Sequence, residues 1–123
     1  MNQVTVKSPV DCDAIELRDF VSLIIQDGEV SPLGLPERVA NARSLSFLRR
    51  DSALVGVAGL KRPAASYRHR ISLSAQFELS QESFPFELGW VFLLLSARGA
   101  KLSLPLCAPL IQTADCVGTF ATS

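Results

Sequence analysis

The sequence predicts a mixed α+β domain, a central sheet with both antiparallel and parallel neighbours flanked by helices. Three observations carry that expectation. Two strand-like runs, Ser44 to Arg49 and Ala53 to Leu60, are separated only by Arg50, Asp51 and Ser52, the spacing of an antiparallel hairpin. The run Leu88 to Leu95 is almost unbroken in apolar, aromatic and branched residues, the pattern of a strand buried on both faces. After it come a turn, a segment with Leu102, Leu106 and Leu110 in one helical stripe, and a further strand-like run. Strands that alternate with helices in this way imply a parallel crossover.

Composition bounds what such a domain can do. The chain has 123 residues, most simply a single domain over 1–123, long enough to bury a core without disulfides or metals. Its 12 basic residues are matched by 12 acidic ones, so the basic excess of a nucleic-acid or anionic-membrane binder is lacking. Apolar residues make up 48% and mean hydropathy is +0.27, high for a small domain with a fully covered surface, which leaves room for a partner surface. No run approaches the roughly eighteen apolar residues of a membrane span, and Met1 to Ser8 lack the pattern of a secretory signal, so no membrane contact and a cytoplasmic location are expected. Cys12, Cys107 and Cys116 are scattered, as buried small hydrophobes are. With His69 the sole histidine, no metal site or serine triad is expected.

In chain order, Val4 and Val6 alternate within Gln3 to Lys7, a first strand near an edge. Asp13 with Glu16 three residues on is an N-cap pair for a helix whose Leu17, Phe20, Val21 and Ile24 share one face, and Gly28 stops it. After the loop Glu29 to Leu35, Pro36 fits the first position of a short helix to about Ala42. In the hairpin, Gly56 and Gly59 mark a bulge or a close approach to the backbone. Over Tyr67 to Leu79 the alternation of Ile71, Leu73, Ala75, Phe77 and Leu79 favours a strand or irregular structure over a short helix. The last helix is expected from Ala100 to Ala114, kinked or shortened by Pro109, with a final strand over Cys116 to Ala121. Between the central strand and that helix lies a basic glycine turn, Arg98-Gly99, where backbone N–H groups and the positive end of a helix dipole suit an anionic phosphate.

This order of elements resembles the GNAT-type N-acetyltransferases. Their turn pattern Q/R-x-x-G-x-G/A falls on Arg98, Gly99, Ala100, Lys101, Leu102 and Ser103, with L-V-G-V-A-G-L, E-L-G-W-V-F-L-L-L and V-G-T-F-A-T-S as similar flanks. Two positions depart from the pattern: Lys101 stands where the family has its first glycine, and Ser103 where it has its second small residue. A lysine there narrows the approach to a diphosphate yet offers it an ammonium. Members continue past the strand matching Cys116 to Ala121 with another helix and two strands. The resemblance therefore implies a GNAT-like sheet truncated after the strand that follows the CoA-binding helix, incomplete at its C-terminus. An exposed final strand would need cover, from a homodimer or an exchanged strand.

The activity that the resemblance implies is transfer of an acetyl group from acetyl-CoA, a co-substrate, to a small-molecule or peptide amine by direct attack. Glu87 is the implied base, Phe92, Leu93 and Leu94 offer main-chain contacts to pantetheine, and Arg98, Gly99, Ala100, Lys101 and Ser103 form the phosphate cradle. The alternative is a catalytically silent binding or dimerisation module. Each residue has a plainer role as well. Glu87 between Phe86 and Leu88 fits a solvent-facing strand position, Tyr67, Arg68, His69 and Arg70 a solvated face, and Trp90 and Phe92 the core.

Overall fold

Among the described residues five strands, β1 (Asn2–Lys7), β2 (Ser44–Arg50), β3 (Ala53–Lys61), β4 (Phe86–Leu93) and β5 (Thr119–Ala121), lie side by side in that order in one sheet. All neighbours are antiparallel except β4 and β5, which run parallel, so the sheet is mixed as the sequence predicts. The computed structural model describes residues 2–28, 30–76, 80, 84–98, 101–114 and 119–121. The expected strand residues Cys116 to 118 lie outside these.

The β2–β3 hairpin turns on Asp51 (φ 53°) and Ser52 (φ 73°), flanked by the pair Arg50 and Ala53. Two successive left-handed residues are what a two-residue hairpin loop needs to follow the right-handed twist of its strands. Helices α1 (Ala14–Asp27) and α2 (Leu35–Ala40) cover one face of the sheet, and α4 (Ser103–Gln112) covers the other while making the crossover that the parallel pair requires. On the first face Phe20, Ile24, Leu35 and Val39 pack on Leu45, Phe47 and Val57; on the second Leu106 and Leu110 pack on Leu48, Ala58 and Leu60. Two buried serines join β2 to α4. Ser46 donates to the Leu106 carbonyl at 2.8 Å, and Ser44 shares a hydrogen bond with Thr113 at 2.6 Å.

Helix α1 starts on the expected reciprocal cap: the Glu16 amide donates to Asp13 at 2.8 Å and the Asp13 amide to Glu16 at 3.0 Å. Gly28, at φ 80°, ends it. Lys7 also donates to Glu16 at 2.7 Å, and this hydrogen bond holds the Glu16 carboxyl below the usual range. Cys12 and Cys107 are half-buried, and burial pushes both thiols up, away from a reactive thiolate.

Two expectations need correction. Where the sequence favours a strand or irregular structure over Tyr67 to Leu79, residues Ala65–Ala75 form a helix, α3, and 77–79 lie outside the described residues. Tyr67, Arg68, Ile71 and Ser72 turn inward while His69, Arg70, Leu73 and Ser74 are exposed, which is helical periodicity. The alternation of Ile71, Leu73 and Ala75 misleads because Leu73 and Ala75 face solvent. Helix α4 begins at Ser103 rather than Ala100 and runs through Pro109 to Gln112. The carbonyl that Pro109 cannot bond belongs to Pro105, an exposed residue rather than a buried one.

Candidate active site

Strand β4 changes sides half-way along. Phe86 and Leu88 face α4, whereas Trp90 and Phe92 face α1 and α2, although a regular strand keeps residues two apart on one face. The register explains it. Gly59 pairs with Gly89 and Val57 with Phe92, so Trp90 and Val91 together stand opposite Ala58, a β-bulge. Trp90 has φ 52°, a left-handed conformation that costs a bulky residue about 1–3 kcal/mol. Surrounding packing holds it there: the Phe20 ring meets the indole edge-on at 6.1 Å. Gly59 makes the space, since a Cβ at that position would lie 2.4 Å from the indole.

Beyond the bulge, the edge of β4 remote from β3 has no strand beside it among the described residues, because β5 pairs only with Phe86, Glu87 and Leu88. The Leu94 amide donates to the Val55 carbonyl at 2.8 Å, and Phe92 pairs with Val57 across the same ladder. Antiparallel alternation then turns the N–H and C=O of Leu93 outward. Of Phe92, Leu93 and Leu94, it is Leu93 whose backbone faces the open edge. Its carbonyl accepts from Arg98 Nε at 2.8 Å, and the Arg98 guanidinium lies 5.5 Å from the Phe92 ring centroid.

On the α1–α2 side, three residues before the bulge, Glu87 is only 2% exposed, which excludes a solvent-facing role. Tyr67 donates to its Oε2 at 2.7 Å and Lys61 Nζ lies 3.4 Å from its Oε1. These three side chains, with Arg38, Arg62 and Trp90, line a cleft of about 270 Å³. Gly89 lets Lys61 reach the carboxylate: a Cβ on Gly89 would lie 2.5 Å from the lysine Cδ. The Lys61 ammonium also sits 5.0 Å from the Trp90 ring centroid, a cation–π contact. Paired glycines thus let two long side chains cross the strands in opposite directions, Trp90 over Gly59 and Lys61 over Gly89.

The strand leads into a 3-10 turn, Leu95–Ala97, whose amides at Ala97 and Arg98 donate to Leu94 and Leu95. Gly99 and Ala100 of the expected cradle lie outside the described residues. Lys101 follows with φ 58°, and Ser103 opens α4, whose first-turn amides receive no side-chain cap from Leu102. A helix start of this kind favours an anion.

Neither a protein-family model nor a curated protein matches the sequence. Solved structures do match the fold. An acyl-CoA N-acyltransferase from Pseudomonas aeruginosa, 20% identical, superposes with a TM-score of 0.64 over 94% of this chain and 71% of its own. A GNAT family acetyltransferase from Streptococcus pneumoniae, 11% identical, reaches 0.67 over 100% of this chain and 76% of its own. N-acetylglutamate synthase from Neisseria gonorrhoeae, solved with coenzyme A and N-acetyl-glutamate and 19% identical, reaches 0.58 over 98% of this chain, which spans 25% of that protein. The fold is that of the GNAT acyltransferases.

Within the GNAT frame, the sequence departure at Lys101 acquires a backbone meaning. The position where the turn pattern has glycine is left-handed here, so the chain retains a conformation natural to glycine while carrying a lysine. Lys101→Gly is accordingly expected to raise stability by about 0.5–1 kcal/mol, the left-handed strain relieved less the added freedom of the unfolded chain. Chemical denaturation checks it; a lower midpoint at unchanged slope would show that the lysine is not strained.

The cluster Tyr67 to Arg70 divides. Tyr67 faces the cleft, Arg68 donates to the carbonyls of Phe84 and Pro85, and His69 and Arg70 are exposed. Sequence reasoning passed over Lys61, Arg38 and Arg62 as cleft residues and placed Trp90 in the core alone. Trp90 does belong to the core, but its other side walls the cleft. The available signal was the glycines at 59 and 89 inside strands otherwise dense in apolar residues.

Proposed function

We propose that the protein is an N-acyltransferase that moves an acyl group, acetyl in the simplest case, from its coenzyme A thioester to an amine bound in the cleft. The observation that carries this reading is the bulge at Trp90 and Val91, which sits between the buried carboxylate of Glu87 and the outward-facing backbone of Leu93. A strand edge left open beside a bulge can hold an extended amide-bearing chain such as pantetheine in place of a sheet partner, and the Leu93 N–H is aimed for that contact. The uncapped start of α4, with Lys101 two residues before it in the chain, suits the diphosphate, so these residues fit a coenzyme A thioester.

Coenzyme A contributes an activated thioester carbonyl and a thiolate leaving group. The protein's part is placement and proton transfer. The bulge leaves a backbone N–H outside the β3 ladder, a donor suited to polarising a carbonyl oxygen at the opening. Glu87 takes the proton of the attacking amine, directly or through a water, and Tyr67 and Lys61 fix its orientation. Direct attack needs no nucleophile from the protein, in keeping with half-buried cysteines of raised pKa.

One contact supports the silent-module alternative: Arg98 folds back onto the Leu93 carbonyl, an acceptor that pantetheine would use. Titration of acetyl-CoA decides between the two. Micromolar binding, weakened at least about tenfold by Arg98→Glu, is expected for the transferase. Absence of heat and of any thermal shift would leave the binding module as the reading.

A further inference from the structure

We propose that Lys61 is itself an acyl acceptor, so that the protein acetylates its own cleft lysine from acetyl-CoA. The inference rests on the acyl-transfer reading and assigns a modification site to it. An amine that gives its proton directly to Glu87 must stand within hydrogen-bond reach of that carboxylate. Lys61 Nζ, 3.4 Å from Glu87 Oε1, stands at the edge of that reach.

The sheet brings the lysine there. Lys61 and Glu87 are partners in the β3–β4 register, and the lysine side chain runs on from that pair across Gly89, its Nζ 3.5 Å from where a Cβ on Gly89 would lie. Gly89 directly precedes the bulge, so the amine is carried from the base toward the strand opening that suits a thioester carbonyl. The rings of Trp90 at 5.0 Å and Tyr67 at 5.8 Å hold the ammonium in that place. At 26% exposure the side chain is screened from solvent without being sealed in. A lysine so held meets a bound thioester as an intramolecular reactant, without the entropy cost of recruiting a second molecule.

In the step, the Nζ lone pair attacks the thioester carbonyl carbon; a C–N bond forms and the C–S bond breaks. Of the two protons that the ammonium gives up through Glu87, one goes to the coenzyme A thiolate and one to water. The product is a neutral amide. Acetylation therefore ends both the ion pair with Glu87 and the cation–π contact with Trp90.

The chain has three lysines, which makes the site simple to map. The hydrogen bond to Glu16 raises the pKa of Lys7, and Lys101 is exposed, so these two report chemical background. After incubation with acetyl-CoA alone, peptide mass mapping is expected to show Lys61 acetylated at least about tenfold faster than either. The rate should not depend on protein concentration, as a reaction within one chain requires, and free coenzyme A should suppress it. Glu87→Gln tests the sign: a lost base slows Lys61 labelling by about 10²-fold or more, whereas a lost shield speeds it. Trp90, the only tryptophan, supplies a readout independent of turnover. As label accumulates, its emission should move toward that of Lys61→Gln, whose neutral amide lacks the same contact. Selectivity in the unaltered chain decides the matter even where Glu87→Gln fails to fold, which a melting curve shows. Lys61 labelled no faster than Lys7 and Lys101, labelling unchanged or faster in folded Glu87→Gln, or emission unaltered in fully labelled protein overturns the proposal. Acetyl-CoA that binds and acetylates added ethanolamine while Lys61 stays unmodified would sink this inference alone and keep the transfer reading. Acetyl-CoA that does not bind would overturn both.

Discussion

Glu87→Gln is expected to lower the rate of acyl transfer by about 10²–10⁴-fold, the span of a positioned general base, while acetyl-CoA affinity stays within about twofold. The separation follows from where the carboxylate sits. Glu87 faces the cleft on the α1–α2 side, and the donors suited to coenzyme A lie beyond the bulge at Leu93 and at the start of α4. Glutamine preserves the shape and can still accept from Tyr67, so the hydrogen bond of 2.7 Å has a replacement. Lys61 loses its counter-charge but stays partly solvated, its side chain 26% exposed, and a stability loss of about 1 kcal/mol or less is expected. Steady-state rates, a binding titration and a melting curve together distinguish the roles. A fallen melting temperature with an unaltered rate would make Glu87 a structural anchor for Lys61 and Tyr67, with no part in proton transfer.

How much of this was legible in the sequence depends on the range of the interactions concerned. The cap at Asp13, the stop at Gly28 and the hairpin at Asp51 and Ser52 rest on contacts within a few residues, and all three are present. Helix α3 escapes the sequence pattern because its inward residues, Tyr67, Arg68, Ile71 and Ser72, are largely polar; Tyr67 turns inward to Glu87 and Arg68 to the carbonyls of Phe84 and Pro85, partners 16 to 20 residues away. Apolar periodicity does not register a helix held by polar contacts. The same limit applies to the cleft. Glu87 could be singled out by its place before the glycine in E-L-G-W, but its burial depends on Lys61 crossing Gly89 from the next strand. The bulge was invisible for a related reason: Phe86, Leu88, Trp90 and Phe92 are apolar alike, so a change of face leaves the pattern unaltered.

Gly59→Ala should be the most damaging one-methyl change near the site, with a stability loss of about 2–3 kcal/mol. The new Cβ would fall 2.4 Å from one indole carbon of Trp90 and 3.0 Å from another. The ring has little freedom to yield, because Phe20 meets one side and Lys61 covers it at 5.0 Å. Its backbone, already at φ 52°, must then shift, and that backbone is the bulge. Melting temperature is expected to fall by about 5–10 °C, and acetyl-CoA binding to weaken although Gly59 lies outside every proposed contact. Gly56→Ala is the control. Its Cβ would meet Leu93 Cδ2 at 2.5 Å, the tip of a half-buried leucine that can rotate, so the loss there should be smaller. Trp90→Leu in the Gly59→Ala background should return part of the stability, a coupling of about 1 kcal/mol or more. It should not return the binding, because leucine has less reason to hold a left-handed bulge. Gly59→Ala protein as stable as its parent would mean that the indole moves freely, and the bulge would then lose its claim to be fixed by the packing around Trp90.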